Sequence, residues 1–303
     1  MRMGKKKKKK PFLWLAAGFF ALLLVFSGFM LVRELVRAGN EEEVFETLAA
    51  ARPRRQERNA TNKDDPQSAE TDTFAAAGED HGTEDLPNAN SSPSAEANPS
   101  ESPTETNQVQ TWILEENRRL HEMNPDFFAW IMIPDTNINY PVMYAPKQKD
   151  FYLSHDFYKN KASTGVPYLD EKCDPDGSYY LIFGHRPSVK TMFYHLVDYE
   201  ERDFWEAHQL IYLDTLNEER AYVVVAAVKA RVLNKYDREG FRYYSYKSLD
   251  NEDIFNEYMQ KVRANQLYDT GMEAAFGDEI LVLSTCYRYV KAGRFFVVAK
   301  RID

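Results

Sequence analysis

The chain is poor in cysteine, with only Cys173 and Cys286 in 303 residues. That excludes a disulfide-dense scaffold. It has no CxxC pair and no Cys/His cluster at metal-ligand spacing, so nothing asks for zinc. A glycine-rich phosphate loop is lacking, and so is an internal repeat. Positive charge is not in excess: 38 Lys and Arg against 47 Asp and Glu leave a net charge of −9. No basic patch stands out in the part that can fold, so nucleic acid is not the expected partner. Residues 64–107 contain no Lys or Arg at all, but eleven Asp or Glu. Long apolar runs are missing too, with one exception.

That exception is residues 11–32, PFLWLAAGFFALLLVFSGFMLV, which carry no charge. A helix rising about 1.5 Å per residue spans the roughly 30 Å hydrocarbon core of a bilayer at this length. Arg2 and the lysines at 5–10 precede it, whereas Glu41, Glu42 and Glu43 follow on the far side. The basic flank stays in the cytoplasm, which puts everything after residue 32 outside. A cleaved signal peptide is the competing reading, but its apolar core is about 7–15 residues, shorter than this run. Residues 33–108 read as an extracellular linker, largely disordered and acidic, with a short helix leaving the membrane over 33–48. The linker's polar composition cannot bury enough apolar surface to offset ordering entropy.

Residues 109–303 have the size of a single domain. A helix is expected over 109–123 and strands over 128–133, 138–144, 166–169, 179–183 and 220–232. Asn124-Pro125-Asp126, Pro134-Asp135 and Asp174-Pro175-Asp176-Gly177 supply turns between them. Asn251 reads as the cap of a helix with Ile254, Phe255, Tyr258 and Met259 on one face. Two last strands are expected: 280–286, ending on Cys286, and one opening with Arg294. Many short strands with few helices predict a mainly β fold, a barrel decorated by helices.

The candidate chemistry sits at those last two strands. If they pair as a hairpin, Arg294 begins its strand where Cys286 ends the other. A thiol nucleophile needs help to ionise and a partner that moves protons. The Arg294 cation would favour the thiolate and donate to an oxyanion. Of the six histidines, His81 lies in the linker, while His121, His195 and His208 fall in helix-like contexts. His185 comes straight off a strand after Gly184, where a β scaffold presents side chains at its rim. A structural histidine, an inert Cys286 and a Cys173–Cys286 disulfide are the plain alternatives, and outside the cell the disulfide would consume the nucleophile.

These residues resemble the sortase family, specifically class B. Leu283-Ser284-Thr285-Cys286 with Arg294 on the next strand resembles the TLxTC…R signature, with Val282 where that motif has Thr. Phe183-Gly184-His185 and the following Thr191-Met192-Phe193 resemble the histidine strand and its short helix. Asn124-Pro125-Asp126-Phe127-Phe128-Ala129-Trp130-Ile131, Tyr152-Leu153-Ser154-His155-Asp156-Phe157 and Gly165-Val166-Pro167-Tyr168-Leu169-Asp170 follow in family order. Arg186-Pro187 after the histidine departs from the usual Asn or His, and the linker is longer than the family's.

The resemblance implies a closed β-barrel of about eight strands with flanking helices, behind a transmembrane helix and a disordered linker. It implies a membrane-anchored cysteine transpeptidase. Its substrates would be secreted proteins with a C-terminal sorting signal, cleaved after Thr. The acyl group would pass to an amine of the cell-wall precursor peptide or to a pilin lysine. Cys286 would be the nucleophile, His185 the acid and base, and Arg294 the oxyanion and backbone donor. Thr285 and Ser284 would flank the substrate. No cofactor and no metal are expected. A thiol protease with the same Cys and His, and a tethered binding domain with a structural Cys286, are the alternative functions.

Overall fold

A computed structural model describes residues 11–50 and 115–303. The expected basic tail and most of the expected linker, residues 51–108, lie outside the described residues. Helix α1 runs unbroken over Pro11–Ala50, so the segment after residue 32 begins as helix. Phe19, Leu22, Leu24 and Phe29 on it are exposed. Among the described residues no helix is long and apolar enough to cross a membrane. The side chains of residues 11–18, the start of the expected span, are outside the description. At its other end α1 touches the folded domain: Phe45 is buried and meets the Tyr140 ring edge-on at 5.7 Å.

The domain is a closed eight-stranded barrel flanked by helices. After helix α2 (115–123) come β1 (Phe127–Met132), β2 (Asn139–Met143), β3 (Tyr168–Leu169) and β4 (Tyr179–Gly184). Helix α3 (Arg202–Ala207), β5 (Leu210–Thr215) and β6 (Ala221–Arg231) follow. Helix α4 (Glu252–Asn265), β7 (Ile280–Cys286) and β8 (Gly293–Arg301) complete it. Around the barrel the order is β1-β2-β3-β4-β7-β8-β6-β5, and β5 pairs with β1 to close it. Closure removes the free sheet edges.

Strand β5 carries no turn signal strong enough to mark it in the sequence, and its pairing to both β1 and β6 is what makes it a strand. In α4 the Asn251 side chain accepts from the Ile254 amide at 3.0 Å, an N-cap. The buried stripe is Phe255, Tyr258, Met259 and Val262. Ile254, expected on that face, is exposed. Positions 255, 258, 259 and 262 follow the i, i+3, i+4, i+7 line, and 254 sits beside it.

The pairing that matters most is β4 with β7, which is parallel. Two parallel strands end at the same rim. Gly184 therefore lies beside Thr285, and the residues that follow, His185 and Cys286, leave the sheet together.

Candidate active site

Strand β7 is buried at every position except its last, Cys286. A run buried on both faces explains the continuous Ile-Leu-Val-Leu pattern. Cys286 is exposed and free, and pairs in register with Arg294, the second residue of antiparallel β8. Cys173 is free as well, and only 2% exposed. No disulfide joins them, so the bonded alternative does not hold. The Leu181 amide donates to the Cys173 sulfur at 3.4 Å. Burial pushes that thiol up to about 12, which makes it inert near neutral pH.

His185 is half-buried, and its Nε2 lies 2.7 Å from the Leu153 carbonyl. Its own carbonyl accepts from the Phe193 amide at 2.9 Å. The preceding Gly184 is where it is because of that same Phe193: a Cβ there would fall 2.5 Å from the ring. The other described histidines are tied to nearby backbone or side chains. His121 reaches the Phe127 carbonyl, His155 that of Phe151, His208 that of Phe204, and His195 the Asp198 carboxylate.

Arg294 is half-buried and donates to the Gly293 carbonyl at 3.1 Å. Thr285 donates its hydroxyl to the Gly184 carbonyl at 2.8 Å and is buried. Ser284 is buried too, and its Oγ is 2.7 Å from the Tyr243 hydroxyl. Both side chains thus hold protein partners. Ser284 ties β7 to the segment between β6 and α4, and Thr285 ties β7 to the end of β4.

Sequence reasoning did not find the wall on the far side of Cys286. Tyr287 donates to Glu200 at 2.6 Å, and Glu200 also pairs with Lys229. Bonding from Lys229 and Tyr287 holds the Glu200 carboxyl below its usual range. The Arg186 guanidinium lies 4.4 Å from the centre of the Tyr194 ring and 5.7 Å from that of Tyr287. The one sequence signal was proximity, since Tyr287 follows Cys286 and Arg186 follows His185. Among the described residues no cluster of three or more His, Cys, Asp or Glu could hold a metal ion.

The arrangement joins an exposed thiol, a guanidinium and an imidazole at one rim of a rigid barrel, the set needed for covalent acyl transfer. The comparisons agree in kind. The Sortase domain family model matches residues 131–302. Sortase B of Listeria monocytogenes is 28% identical over 183 residues, spanning 60% of this chain and 71% of the relative. Sortase B of Staphylococcus aureus is 25% identical over 186 residues, spanning 60% and 72%. The solved structure of Clostridium perfringens sortase B has a TM-score of 0.55 at 27% identity, over 61% of this chain and 99% of that one. A Staphylococcus aureus sortase B–substrate complex has a TM-score of 0.55 at 22% identity, over 65% and 96%, a likeness of fold.

Proposed function

The chain belongs to the sortase family and is a cysteine transpeptidase of the class B kind; from that premise we propose which residues carry the reaction and what it joins. Cys286 is the nucleophile. Its sulfur attacks the carbonyl carbon of the Thr in a C-terminal sorting motif, and Arg294 donates to the oxyanion that forms. The C–N bond breaks as His185 gives its proton to the departing amine. A thioacyl enzyme remains. An amine of the cell-wall precursor peptide, or a pilin lysine, attacks it, His185 takes the proton, and the Cys286 thiolate leaves. Thr285 and Ser284 flank the substrate's approach by holding the end of β7 in place.

The observation that carries this reading is the strand pairing. The parallel β4–β7 pair delivers Gly184-His185 and Thr285-Cys286 to one rim, and β8 brings Arg294 opposite Cys286. The substrate and acceptor classes are supported by relatives described as a sortase B–substrate complex and as sortase B complexed with triglycine. The uncharged run over residues 11–32 and the basic residues before it support the rest of the proposal: 1–10 a cytoplasmic tail, 11–32 a single membrane span, 33–108 an extracellular linker and 109–303 the catalytic domain outside the cell.

The test incubates the wild type and Cys286→Ala with quenched peptides of the Asn-Pro-x-Thr-x and Ser/Pro-Pro-x-Thr-x types plus an amine donor, read by mass spectrometry. Cleavage after Thr with transfer to the amine, lost in the alanine variant, is the expected result. Hydrolysis that the amine never intercepts would make the enzyme a thiol protease. Full activity of Cys286→Ala would remove the nucleophile assignment.

A further inference from the structure

The imidazole of His185 is held by backbone. Its Nε2 is 2.7 Å from the Leu153 carbonyl oxygen. A carbonyl only accepts, so the nitrogen facing it carries the proton and donates. In the neutral ring that leaves Nδ1 as the bare nitrogen.

Leu153 is not in a slack loop. It closes the short 3-10 turn Phe151–Leu153. Its amide donates to the Asp150 carbonyl at 3.1 Å. Two neighbours sew the turn to the next segment: Val166 donates to the Tyr152 carbonyl at 3.0 Å, and Ala162 to the Ser154 carbonyl at 2.9 Å. Gly165 passes beneath the turn at φ +60. A Cβ there would come within 2.4 Å of the Tyr152 oxygen and 2.8 Å of the Leu153 oxygen. Only hydrogen fits, and the atoms it would strike are backbone, which cannot swing aside as a flexible side chain can. The oxygen that meets His185 therefore keeps its place only while position 165 carries no side chain.

We propose that the Leu153 carbonyl is the positioning group of His185, that Gly165 is the residue that keeps it there, and that proton transfer in both half-reactions runs through Nδ1. The inference rests on His185 being the acid and base. In acylation the ring is doubly protonated: as the Cys286 S–C bond forms and the C–N bond breaks, the Nδ1 proton passes to the amine nitrogen and Nε2–H stays on the Leu153 oxygen. In deacylation the incoming amine gives its proton back to Nδ1 as its N–C bond forms and the S–C bond breaks. Oriented base and fixed tautomer are the service that a carboxylate supplies in Ser-His-Asp sites. Here backbone supplies it.

The test compares four full-length proteins: wild type, Gly165→Ala, Gly271→Ala and His185→Ala. Gly271 has φ +70 with nothing near its hypothetical Cβ, so Gly271→Ala carries backbone strain of the same sort without touching the carbonyl. The reads are steady-state transpeptidation and the nitrogen-15 spectrum of labelled histidines, with His185 assigned by its loss in His185→Ala. In wild type the neutral ring is expected as the Nε2–H tautomer. Gly165→Ala is expected to mix the tautomers and lower kcat by about 10–100-fold with KM little changed, below the roughly 10²–10⁴-fold that general acid–base catalysis contributes in full, because the base is misoriented and not removed. Gly271→Ala is expected to keep wild-type kcat and tautomer. A wild-type ring that is mainly Nδ1–H overturns the proposal even if Gly165→Ala fails to fold. So does a Gly165→Ala enzyme with wild-type kcat and wild-type His185 resonances. An active His185→Ala would instead remove the acid–base assignment itself, a different outcome from either.

Discussion

Tyr243→Phe isolates one atom at the support of the nucleophile strand. Tyr243 lies in a 3-10 turn between β6 and α4, and its ring stacks on Phe296 of β8 at 4.1 Å and 19°. Its hydroxyl meets Ser284 Oγ at 2.7 Å, and both residues are buried. Phenylalanine keeps the ring and its stacking and deletes only the O–H. The Ser284 hydroxyl then sits in the dry core without its partner, at a cost of about 1–3 kcal/mol. Ser284→Ala strands the tyrosine hydroxyl instead, at a similar cost. The double variant removes both groups, and its cost falls well below the sum, because no orphan is left. In a domain of this size each kcal/mol moves Tm by about 2–4 °C, so each single variant is expected to melt about 2–12 °C lower. Thermal melts and denaturant midpoints of the four proteins read this directly. Single variants as stable as wild type, or a double variant whose loss equals the sum, would refute the claim that the two hydroxyls satisfy each other.

Four other expectations can be checked quickly. Ellman's reagent should find one reactive thiol in the native protein and two in guanidinium, since Cys286 is exposed while Cys173 is buried with its thiol pushed up to about 12; none or two in the native state would contradict the structure. Gly184→Ala drives a Cβ into the Phe193 ring and should displace the His185 backbone, costing about a hundredfold in kcat if the ring moves by an ångström; unchanged kinetics would show that the strand end yields without consequence. Phe45→Ala should free the last turns of α1 from Tyr140, seen as faster amide exchange over residues 45–50 with the barrel strands unchanged; protection equal to wild type would mean the docking does not depend on this ring. The Glu200 carboxyl is held below the ordinary glutamate value of 4.5, so its bonds to Lys229 and Tyr287 stabilise the fold above that value and are lost as pH falls through the lower folded-state value; Glu200→Gln should flatten the acid limb of a stability-against-pH curve, and a curve of unchanged shape would remove Glu200 from that account.

Much of the rim was legible because it depends on where strands end. The apolar run before Cys286, the turn residues after it and the strand opening with Arg294 are local signals, and local signals fix a hairpin. His185 was legible for the same reason, as the residue after a strand-ending glycine. The Tyr287–Glu200–Lys229 wall was not, because its members are far apart in sequence and meet only once the barrel closes. The role of Ser284 was hidden by a different cause. Alternation tells which residue faces the core only when one face is wet. In β7 both faces are covered, so the sequence pattern could not say that Ser284 points at Tyr243 and away from solvent. Strand β5 failed on punctuation: LIYLDT has a suitable composition, but what makes it a strand is the partner on either side.

The end of β7 is fixed residue by residue to three different elements. Ser284 is tied to Tyr243 before α4, Thr285 to the Gly184 carbonyl of β4, and Cys286 is in register with Arg294 of β8. A strand held on both faces and at both edges has no soft direction, and a close-packed interior passes on whatever displacement is forced into it. Substitutions in 284 and 285 therefore act on the position of the sulfur even though neither side chain is exposed. The residues just past Cys286 are built differently. Arg288, Tyr289, Val290, Lys291 and Ala292 are all exposed, and Ala292 sits at φ 58. Two tyrosines tether this turn: Tyr287 bonds to Glu200, and Tyr289 donates to the Ala230 carbonyl at 2.8 Å. Local opening concentrates where buried contacts are few. The nucleophile thus ends a strand buried at every other position and is followed directly by an exposed turn, which Tyr287, Tyr289 and the Ala292 carbonyl pin to Glu200, Ala230 and the Val232 amide.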